Sequence, residues 1–334
     1  MSKVGLGFIF DFRNPSAWQR PADVLYRETI DAIVETERLG FAAAWIPEHH
    51  VAADGYLPAP LPVLGALASR TSRMTLGTGI ALAPLYDPLR FAEECAVIDC
   101  IAGGRLEIGL AIGYRQREYE AFGLDFRQRG ARFEEFLTLL RALWAGETVT
   151  HDGPHFTLTN ASIAPLPPRG RIPLAIGGFA PKALARVARH GDAYFGNAEV
   201  WPAMKEQLEQ AGRDPDEFGI LLPALYTFIA RDPQAAMAEL APHFHFMHQS
   251  YGAWMNENNA IGLESAQSQD MDLDTFKASG LLEILTPDEA ATRYSALADE
   301  MPLRHVAMTW PPGLPPDRFL AYASDIAADV IPRL

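Results

Sequence analysis

The stretch WIPEHH, at positions 45–50, places a glutamate and two adjacent histidines directly after an apolar segment. Paired histidines can bind a metal, transfer protons, or lie at a surface without chemistry. A metal site needs further ligands that converge from elsewhere, which one short segment does not supply. A neutral imidazole donates or accepts a hydrogen bond near pH 7, which suits acid–base work or contact with a polar ring. Because side chains alternate along an extended segment, we expect only one of His49 and His50 to face a common cavity.

Two further stretches have the composition of ligand-binding segments. GTGI at 77–80 holds two glycines within an apolar run, which indicates either close packing or backbone that approaches a flat ligand. GYRQREYEAFG carries Tyr114 and Arg115 in a chain that is short of positive charge. Arginine binds phosphate through bidentate hydrogen bonds, but a solvated loop in which Arg115 pairs with Glu118 fits this stretch equally well.

The stretch AIGGFAPKALARVA, which begins at Ala175, predicts a strand, a Gly-Gly turn and a helix. Bare backbone N–H groups at the start of such a helix can bind an anion, assisted by the helix dipole. A tight turn that binds nothing gives the same pattern, so the alternative stays open.

Other residues give little support to metal or hydrolase chemistry. HFHFMH at 243–248 has no matching acidic or cysteine partner nearby, so we do not predict a zinc site there. No GxSxG motif is present, and neither Cys95 nor Cys100 has an obvious base beside it in the sequence, so a nucleophilic hydrolase is not indicated.

These stretches lie within an alternation of short apolar runs and longer amphipathic runs. The apolar runs predict eight strands, at 4–11, 41–48, 74–83, 105–113, 172–178, 192–198, 218–230 and 304–310. Nearly every predicted strand is followed by a run whose apolar residues recur with helical spacing. Strands that are apolar throughout are buried on both faces, as in parallel sheets with helical crossovers. Eight such units predict an α/β fold, a (β/α)8 TIM barrel, in preference to an open doubly wound sheet.

Two regions interrupt the alternation, around 147–170 and 243–300, and we interpret them as insertions in a single domain over 1–334. The first predicts a hairpin and a proline-rich loop. The second begins with the histidine cluster, and we expect it to cover the barrel mouth. Active sites of such barrels lie at the carboxyl ends of the strands. That rule selects FDFRN, PEHH, GTGIALAP, GYRQREYEAFG and GGFAP as candidate site segments.

Charge and composition argue against several classes of partner. The chain has 334 residues, a net charge of −14 and a pI of about 5.1, which disfavours binding to nucleic acid or to anionic membranes. No apolar run has the length of a membrane span, and the N-terminal MSKVGLGFIFDFRNP meets charged residues too early for a secretory signal. Two cysteines five residues apart on a predicted helix indicate no disulfide framework. We therefore expect a cytoplasmic protein.

Several of these stretches, taken in order, resemble the bacterial luciferase-like family of flavin-dependent monooxygenases. The resemblance covers most of residues 1–200 and includes GFAAAWIPEHH, the block from SRMTLGTGI to GYRQREYEAFG, ARFEEFLTLLRALWAGE and IPLAIGGFAPKALARVARHGDAY. Its most specific part is DPLR-x-AE…D…GGRLE-x-GL. The resemblance implies a (β/α)8 barrel that binds reduced FMN at its mouth. It further implies that O2 forms a flavin C4a-peroxide, which oxygenates a small organic substrate of apolar character.

The resemblance also implies roles for individual residues. His49 matches the family's active-site histidine beside the flavin ring, and His50 is its neighbour in the same motif. Gly79 and Ile80 fall where members often have a non-prolyl cis peptide against the isoalloxazine. The flavin phosphate and ribityl chain correspond to Tyr114, Arg115, Gly178, Phe179 and Ala180, with Arg129 or Arg132 as a further phosphate ligand. No metal ligand is implied.

The resemblance implies partners as well as a cofactor. Reduced flavin would come from a separate flavin reductase, because the chain shows no dinucleotide-binding motif. A homodimer or larger oligomer is expected. Sister branches of the family use a deazaflavin coenzyme for hydride transfer without O2, and a non-catalytic flavin-binding relative is a further alternative. Outside redox chemistry, a metal-dependent barrel hydrolase is the remaining candidate.

Overall fold

Eight parallel strands form a closed barrel in the computed structural model, which describes residues 4–259 and 271–334. The barrel strands are β1 (Gly5–Ile9), β2 (Ala43–Ile46), β3 (Thr75–Leu82), β4 (Leu106–Ala111), β5 (Leu174–Gly177), β6 (Ala193–Phe195), β7 (Gly219–Ala224) and β8 (Leu303–Thr309). Each strand pairs with the next one along the chain, and β8 closes the ring against β1. The predicted (β/α)8 barrel is confirmed, and its strands overlap the eight predicted apolar runs.

The described residues form eleven α-helices, most of which surround the barrel. They are α1 (Ala22–Leu39), α2 (Pro60–Ala68), α3 (Pro88–Ala102), α4 (Gln116–Ala121), α5 (Arg129–Trp144), α6 (Pro181–His190), α7 (Trp201–Gln210), α8 (Pro233–Asn259), α9 (Leu273–Ala278), α10 (Pro287–Glu300) and α11 (Pro316–Asp329). Helix α3 begins where the Asp87 side chain accepts from Arg90 N, and it ends at Gly103, which adopts the left-handed conformation. None of these helices is long and apolar enough to cross a membrane.

The barrel interior is packed around Trp45, which β2 directs inward and which is fully buried. A Cβ atom added at Gly77 would lie 2.3 Å from the Trp45 ring, and one added at Gly79 would lie 2.7 Å from Trp45 Cβ. Both distances are shorter than any real Cβ contact, so the indole excludes side chains from the middle of β3. Close packing therefore explains the glycines of GTGI, at least toward the barrel axis.

The predicted seventh strand, 218–230, is wrong as a single element. The chain leaves the barrel after β7 and turns at residues 225 and 226. The following segment, Thr227–Ile229, pairs in parallel with Glu283–Leu285 in a separate two-stranded sheet outside the barrel. Both pieces are largely buried, so the apolar run continues through the bend and gives no sign of it.

Both predicted insertions contain regular secondary structure. The first contains the predicted hairpin, formed by Val149–Asp152 and Thr157–Ala161. The second, predicted around 243–300, begins within α8, which continues through the internal Pro242 as far as Asn259. Residues 271–300 add α9, the strand Glu283–Leu285 and α10, while 260–270 lie outside the described part of the chain.

Candidate active site

The carboxyl ends of β1, β2 and β4 bring polar side chains together beneath α8. The histidine pair follows β2 after one proline and one glutamate, and α4 begins soon after β4. The long helix α8 crosses this end of the barrel and contributes Tyr251 and Trp254 to the same cluster. The expectation that the second insertion covers the barrel mouth agrees with this placement.

His49 is buried and forms a hydrogen-bonded pair with a buried carboxylate. Its Nδ1 atom lies 2.8 Å from Glu118 Oε1, and the same oxygen accepts a hydrogen bond from His50 N at 2.9 Å. The Glu118 side chain has no exposed surface. In the sequence, Glu118 was considered only as an ion-pair partner in a solvated loop, because nothing local indicates that α4 buries it.

The pKa values of this pair favour a neutral histidine beside an ionised glutamate. Burial lowers the pKa of His49 below its usual value, although the hydrogen bond and charge of Glu118 act in the opposite direction. Burial alone would raise the pKa of Glu118, but the hydrogen bonds from His49 and His50 outweigh it, so that pKa is lowered. An ionised Glu118 can only accept, so Nδ1 of His49 carries the proton and donates. The Nε2 atom is then an unprotonated base.

His50 is oriented toward different partners from those of His49. Its Nε2 atom lies 2.6 Å from Glu48 Oε1, while the other oxygen of Glu48 accepts from Leu82 N at 2.9 Å. The His50 ring also packs edge-on against Phe122, with 4.7 Å between centroids. The expected division of the histidine pair is therefore present: one imidazole lies in the central cluster and the other points toward the β3 side.

Aromatic rings enclose the His49 imidazole. Tyr56, Tyr251 and Trp254, which we call the aromatic cage, have centroids 4.8, 6.3 and 4.8 Å from that of His49. Tyr114 adds a further edge contact at 5.5 Å. The surroundings of His49 therefore have a low polarity, which strengthens its interaction with Glu118. Two cage members come from α8, where sequence spacing did not distinguish site residues from core residues.

Arg115, predicted as a phosphate ligand, contacts several protein groups. Its Nη1 atom donates to His50 O at 2.8 Å, and Nη2 lies 3.4 Å from Glu257 Oε2. The guanidinium packs on Trp254 at 4.2 Å from the ring centroid and is 1% exposed. The Arg115–Glu118 ion pair is thus buried rather than solvated. A phosphate role for Arg115 stays a prediction.

The two other candidate phosphate ligands also have protein partners. Arg129 donates to Phe126 O at 2.8 Å and lies 3.7 Å from the centre of that residue's ring. Arg132 donates to Pro84 O at 2.7 Å and to His155 O at 3.1 Å. These contacts fix the loops that precede α5 and α3.

The predicted cofactor segments within β3 and at the end of β5 meet at the Ile80 side chain. The Gly79–Ile80 peptide is cis, as the resemblance implied, and both residues are half-buried. A Cβ atom added at Gly177 would lie 2.6 Å from Ile80 Cδ1. Gly178 follows with a φ of 142°, which favours glycine, and the exposed Phe179 leads into α6. These two segments therefore lie against one another near the carboxyl ends of β3 and β5.

The histidine cluster at 243–248 does not converge on one point. His243 Nδ1 lies 2.8 Å from Pro312 O, and its ring stacks on Trp18. His245 Nε2 lies 2.7 Å from Met271 O, and the His248 ring packs against Phe276. Across the described residues, no three His, Cys, Asp or Glu side chains are grouped in a way that could hold a metal ion.

The chain is similar to known proteins of one family. A model of the luciferase-like monooxygenases matches residues 6–306. An F420-dependent glucose-6-phosphate dehydrogenase of Beutenbergia cavernae is 28% identical over 303 residues, which cover 85% of this chain and 83% of that enzyme. The oxygenase component of a flavin-dependent trigonelline monooxygenase of Acinetobacter baylyi is 28% identical over 256 residues, which cover 73% of this chain and 70% of that protein.

Solved structures agree with the barrel architecture. The monooxygenase RslO1 of Streptomyces bottropensis superposes with a TM-score of 0.78 and 22% identity, and the match covers 98% of this chain and 99% of that one. At this identity the likeness concerns the fold alone.

Proposed function

Because the chain belongs to the luciferase-like monooxygenase family, we propose that it is an oxidoreductase that uses reduced FMN and O2 to oxygenate a small organic substrate. The observation that carries the proposal is the buried His49–Glu118 pair, which lies in an aromatic enclosure at the barrel mouth. A separate flavin reductase would supply the reduced flavin, and a homodimer or larger assembly remains our expectation.

The ends of β3 and β5 fit a flat ring system and a phosphate group. Gly79 and Gly178 have no side chain, and they are partly exposed, as is Ile80 in the predicted ring site, so a ring can approach the backbone of the two glycines. Residues 178–180 precede the ten-residue helix α6, whose N-terminal N–H groups favour an anion. We propose that the isoalloxazine lies against Gly79–Ile80 and the phosphate near residues 178–180. When bound, reduced FMN supplies the electrons that activate O2.

The chain's own residues would control protons and water. Glu118 holds the Nδ1–H of His49, so the Nε2 lone pair can accept a proton or a hydrogen bond from a reacting group. The aromatic cage excludes water around that atom, which protects a reactive oxygen species from early breakdown. His50, paired with Glu48, would shape the wall of the site rather than exchange protons with the substrate.

Hydride transfer with a deazaflavin coenzyme is a second candidate, favoured by a specific feature of the same pair. Oxidation of a hydroxyl group requires a base that removes the hydroxyl proton while hydride leaves the carbon. A neutral His49 with Nδ1 held by a carboxylate is such a base. The F420-dependent relative described above shows that a coenzyme of this kind occurs among proteins similar to this chain.

An anaerobic titration of the purified protein with reduced FMN and with reduced F420 separates the two candidates. We expect reduced FMN to bind more tightly, with F420 as a weak competitor. Tight binding of reduced F420 without measurable affinity for reduced FMN would contradict the oxygenase proposal and support the hydride-transfer alternative.

A further inference from the structure

Arg13 is a completely buried arginine beside the proposed active site that the roles described so far do not use. It follows β1 within the FDFRN stretch, and its side chain has no exposed surface. Its Nε, Nη1 and Nη2 atoms have no hydrogen-bond partner among the described residues. Buried donors that lack an acceptor are costly, so such a side chain requires an explanation.

The charge of Arg13 is already balanced by two carboxylates. Arg13 Nε lies 3.3 Å from Asp54 Oδ2 and 3.6 Å from Asp11 Oδ2. Neither carboxylate accepts a hydrogen bond from Nη1 or Nη2 in the described part of the chain, so the donors of these two atoms are available. A third anion would meet two negative charges for one positive charge, so a neutral acceptor oxygen is the better partner for these N–H groups.

The aromatic cage connects Arg13 to His49. The guanidinium carbon lies 4.5 Å from the centre of the Tyr56 ring, 4.8 Å from that of Tyr251 and 5.1 Å from that of Trp254. The same three rings surround the His49 imidazole. A planar molecule that enters the cage would therefore lie between a proton acceptor and a set of hydrogen-bond donors. Tyr251 and Trp254 are both carried by α8, so the position of this helix determines the space between the rings.

We propose that Arg13 is a specificity residue that donates from Nη1 and Nη2 to the carbonyl oxygen of a neutral, planar aromatic substrate held by the aromatic cage. The proposal rests on the proposed function, since it names the substrate class of the same site. The rings supply apolar stacking surface, and the guanidinium fixes the direction of the carbonyl group. The carbonyl end then faces Arg13, and the rest of the ring system faces His49.

A purely structural role for Arg13 makes a different prediction. A cavity of about 20 Å³ lies beside Arg13, lined in part by Arg20 and Pro312, and has room for about one water molecule. If a water there satisfies the donors, substitution of Arg13 would reduce stability without changing any ligand preference.

Equilibrium binding of three probes, which does not depend on turnover, tests the proposal. The probes are acetophenone, ethylbenzene, which lacks the carbonyl, and benzoate, which carries a charge. Each is titrated into the purified protein, with and without FMN, and followed by tryptophan fluorescence. We expect acetophenone to bind about tenfold more tightly than ethylbenzene, as for one satisfied buried hydrogen bond to a charged group, and benzoate to bind more weakly than acetophenone.

Arg13→Lys should abolish the preference for the ketone while it retains a positive charge between the two carboxylates. Arg20→Lys is the matched control, because Arg20 lines the same cavity but pairs with Glu28, and it should retain the preference. Thermal melting of each variant shows whether it is folded. Equal binding of ketone and hydrocarbon to the wild type, tighter binding of benzoate, or a preference that survives in folded Arg13→Lys would each overturn the proposal. Because no redox step is measured, a protein that fails to oxygenate can still pass or fail this test.

Discussion

The His49 imidazole is the single side chain on which the proposed chemistry depends most. We expect His49→Ala to lower kcat by about 10²- to 10⁴-fold, the usual contribution of a positioned proton-transfer group. The dissociation constant of reduced FMN should change little, because the proposed flavin contacts lie on β3, β5 and α6. Steady-state kinetics and an anaerobic flavin titration measure the two quantities. His50→Ala is the control and should have a smaller effect on kcat, since His50 pairs with Glu48. Equal losses in turnover and flavin affinity in His49→Ala would indicate a binding role instead.

Glu118 should determine the pH dependence of the reaction through His49. The carboxylate raises the pKa of His49, opposing the larger effect of burial, which lowers it. Removing the negative charge in Glu118→Gln should therefore lower that pKa further. We expect the acidic limb of kcat/KM to move to lower pH, and the plateau to fall by roughly 10²-fold because Nε2 becomes a weaker base. Glu120→Gln, on the exposed side of the same helix, should leave the profile unchanged. A limb that moves to higher pH in Glu118→Gln would contradict the assignment.

Some of these residues could be predicted from the sequence, and others could not, for a physical reason. His49 and His50 lie in a polar segment directly after a predicted strand, which was sufficient to select them as candidates, whereas only the resemblance indicated a cis peptide at Gly79–Ile80. Glu118 and Arg13 are charged residues that would ordinarily be exposed. Only their burial by other elements indicates a role, and that burial depends on contacts distant in sequence. The protein contacts of Arg115 likewise could not be predicted, because a short basic motif does not reveal which protein groups the guanidinium contacts.

At the scale of elements, α8 acts as the cover of the proposed site. Trp254 on this helix packs against both His49 and Arg115. We expect Trp254→Ala to let water reach His49. More reduced flavin should then be oxidised for each substrate molecule that is oxygenated. The measurement is hydrogen peroxide released per O2 consumed. The substitution should also cost about 3–5 kcal/mol of stability, as for other buried Trp→Ala changes. Trp254→Phe keeps an aromatic wall and should remain nearer to wild-type coupling. Unchanged peroxide release in a folded Trp254→Ala protein would show that α8 does not exclude water.

Strands and helices were predicted correctly where apolar residues recur with a regular spacing. The prediction failed where a continuous buried run contains a bend. The eight barrel strands are apolar runs bounded by turns, so their number followed from pattern alone. The bend after β7 lies within a buried run and has no glycine or polar cluster to mark it. Helix α8 continues past Pro242, a residue that usually ends or kinks a helix, so its length does not follow from the local sequence.

At the scale of the whole molecule, the barrel interior should make the fold sensitive to acid. His305 on β8 packs edge-on against Trp45, and burial, aided by the charge of Arg304, lowers its pKa to about 4. An unfolded histidine has a pKa of about 6.5, so between these values the unfolded chain binds more protons than the folded one. Stability should therefore fall as the pH decreases from about 6.5 toward 4, by at most ~3 kcal/mol from this group.

Removal of this titratable group should reduce the acid sensitivity. His305→Phe keeps an aromatic ring against Trp45 but cannot take up a proton. We expect the fall in Tm between pH 7 and pH 5 to be smaller in this variant than in the wild type, as measured by thermal melting in matched buffers. An equal fall in both proteins would show that other groups dominate the acid response.

Oxygen uptake tests the central claim most directly. The protein is supplied with reduced FMN by a separate flavin reductase, and O2 consumption and product are recorded with a panel of small organic substrates. In parallel, reduced and oxidised F420 are supplied without O2 to detect hydride transfer. The account predicts substrate-dependent O2 consumption with incorporation of oxygen into the product, and its loss in His49→Ala. Hydride transfer to or from F420 under anaerobic conditions, without any oxygenated product in the aerobic reaction, would contradict it.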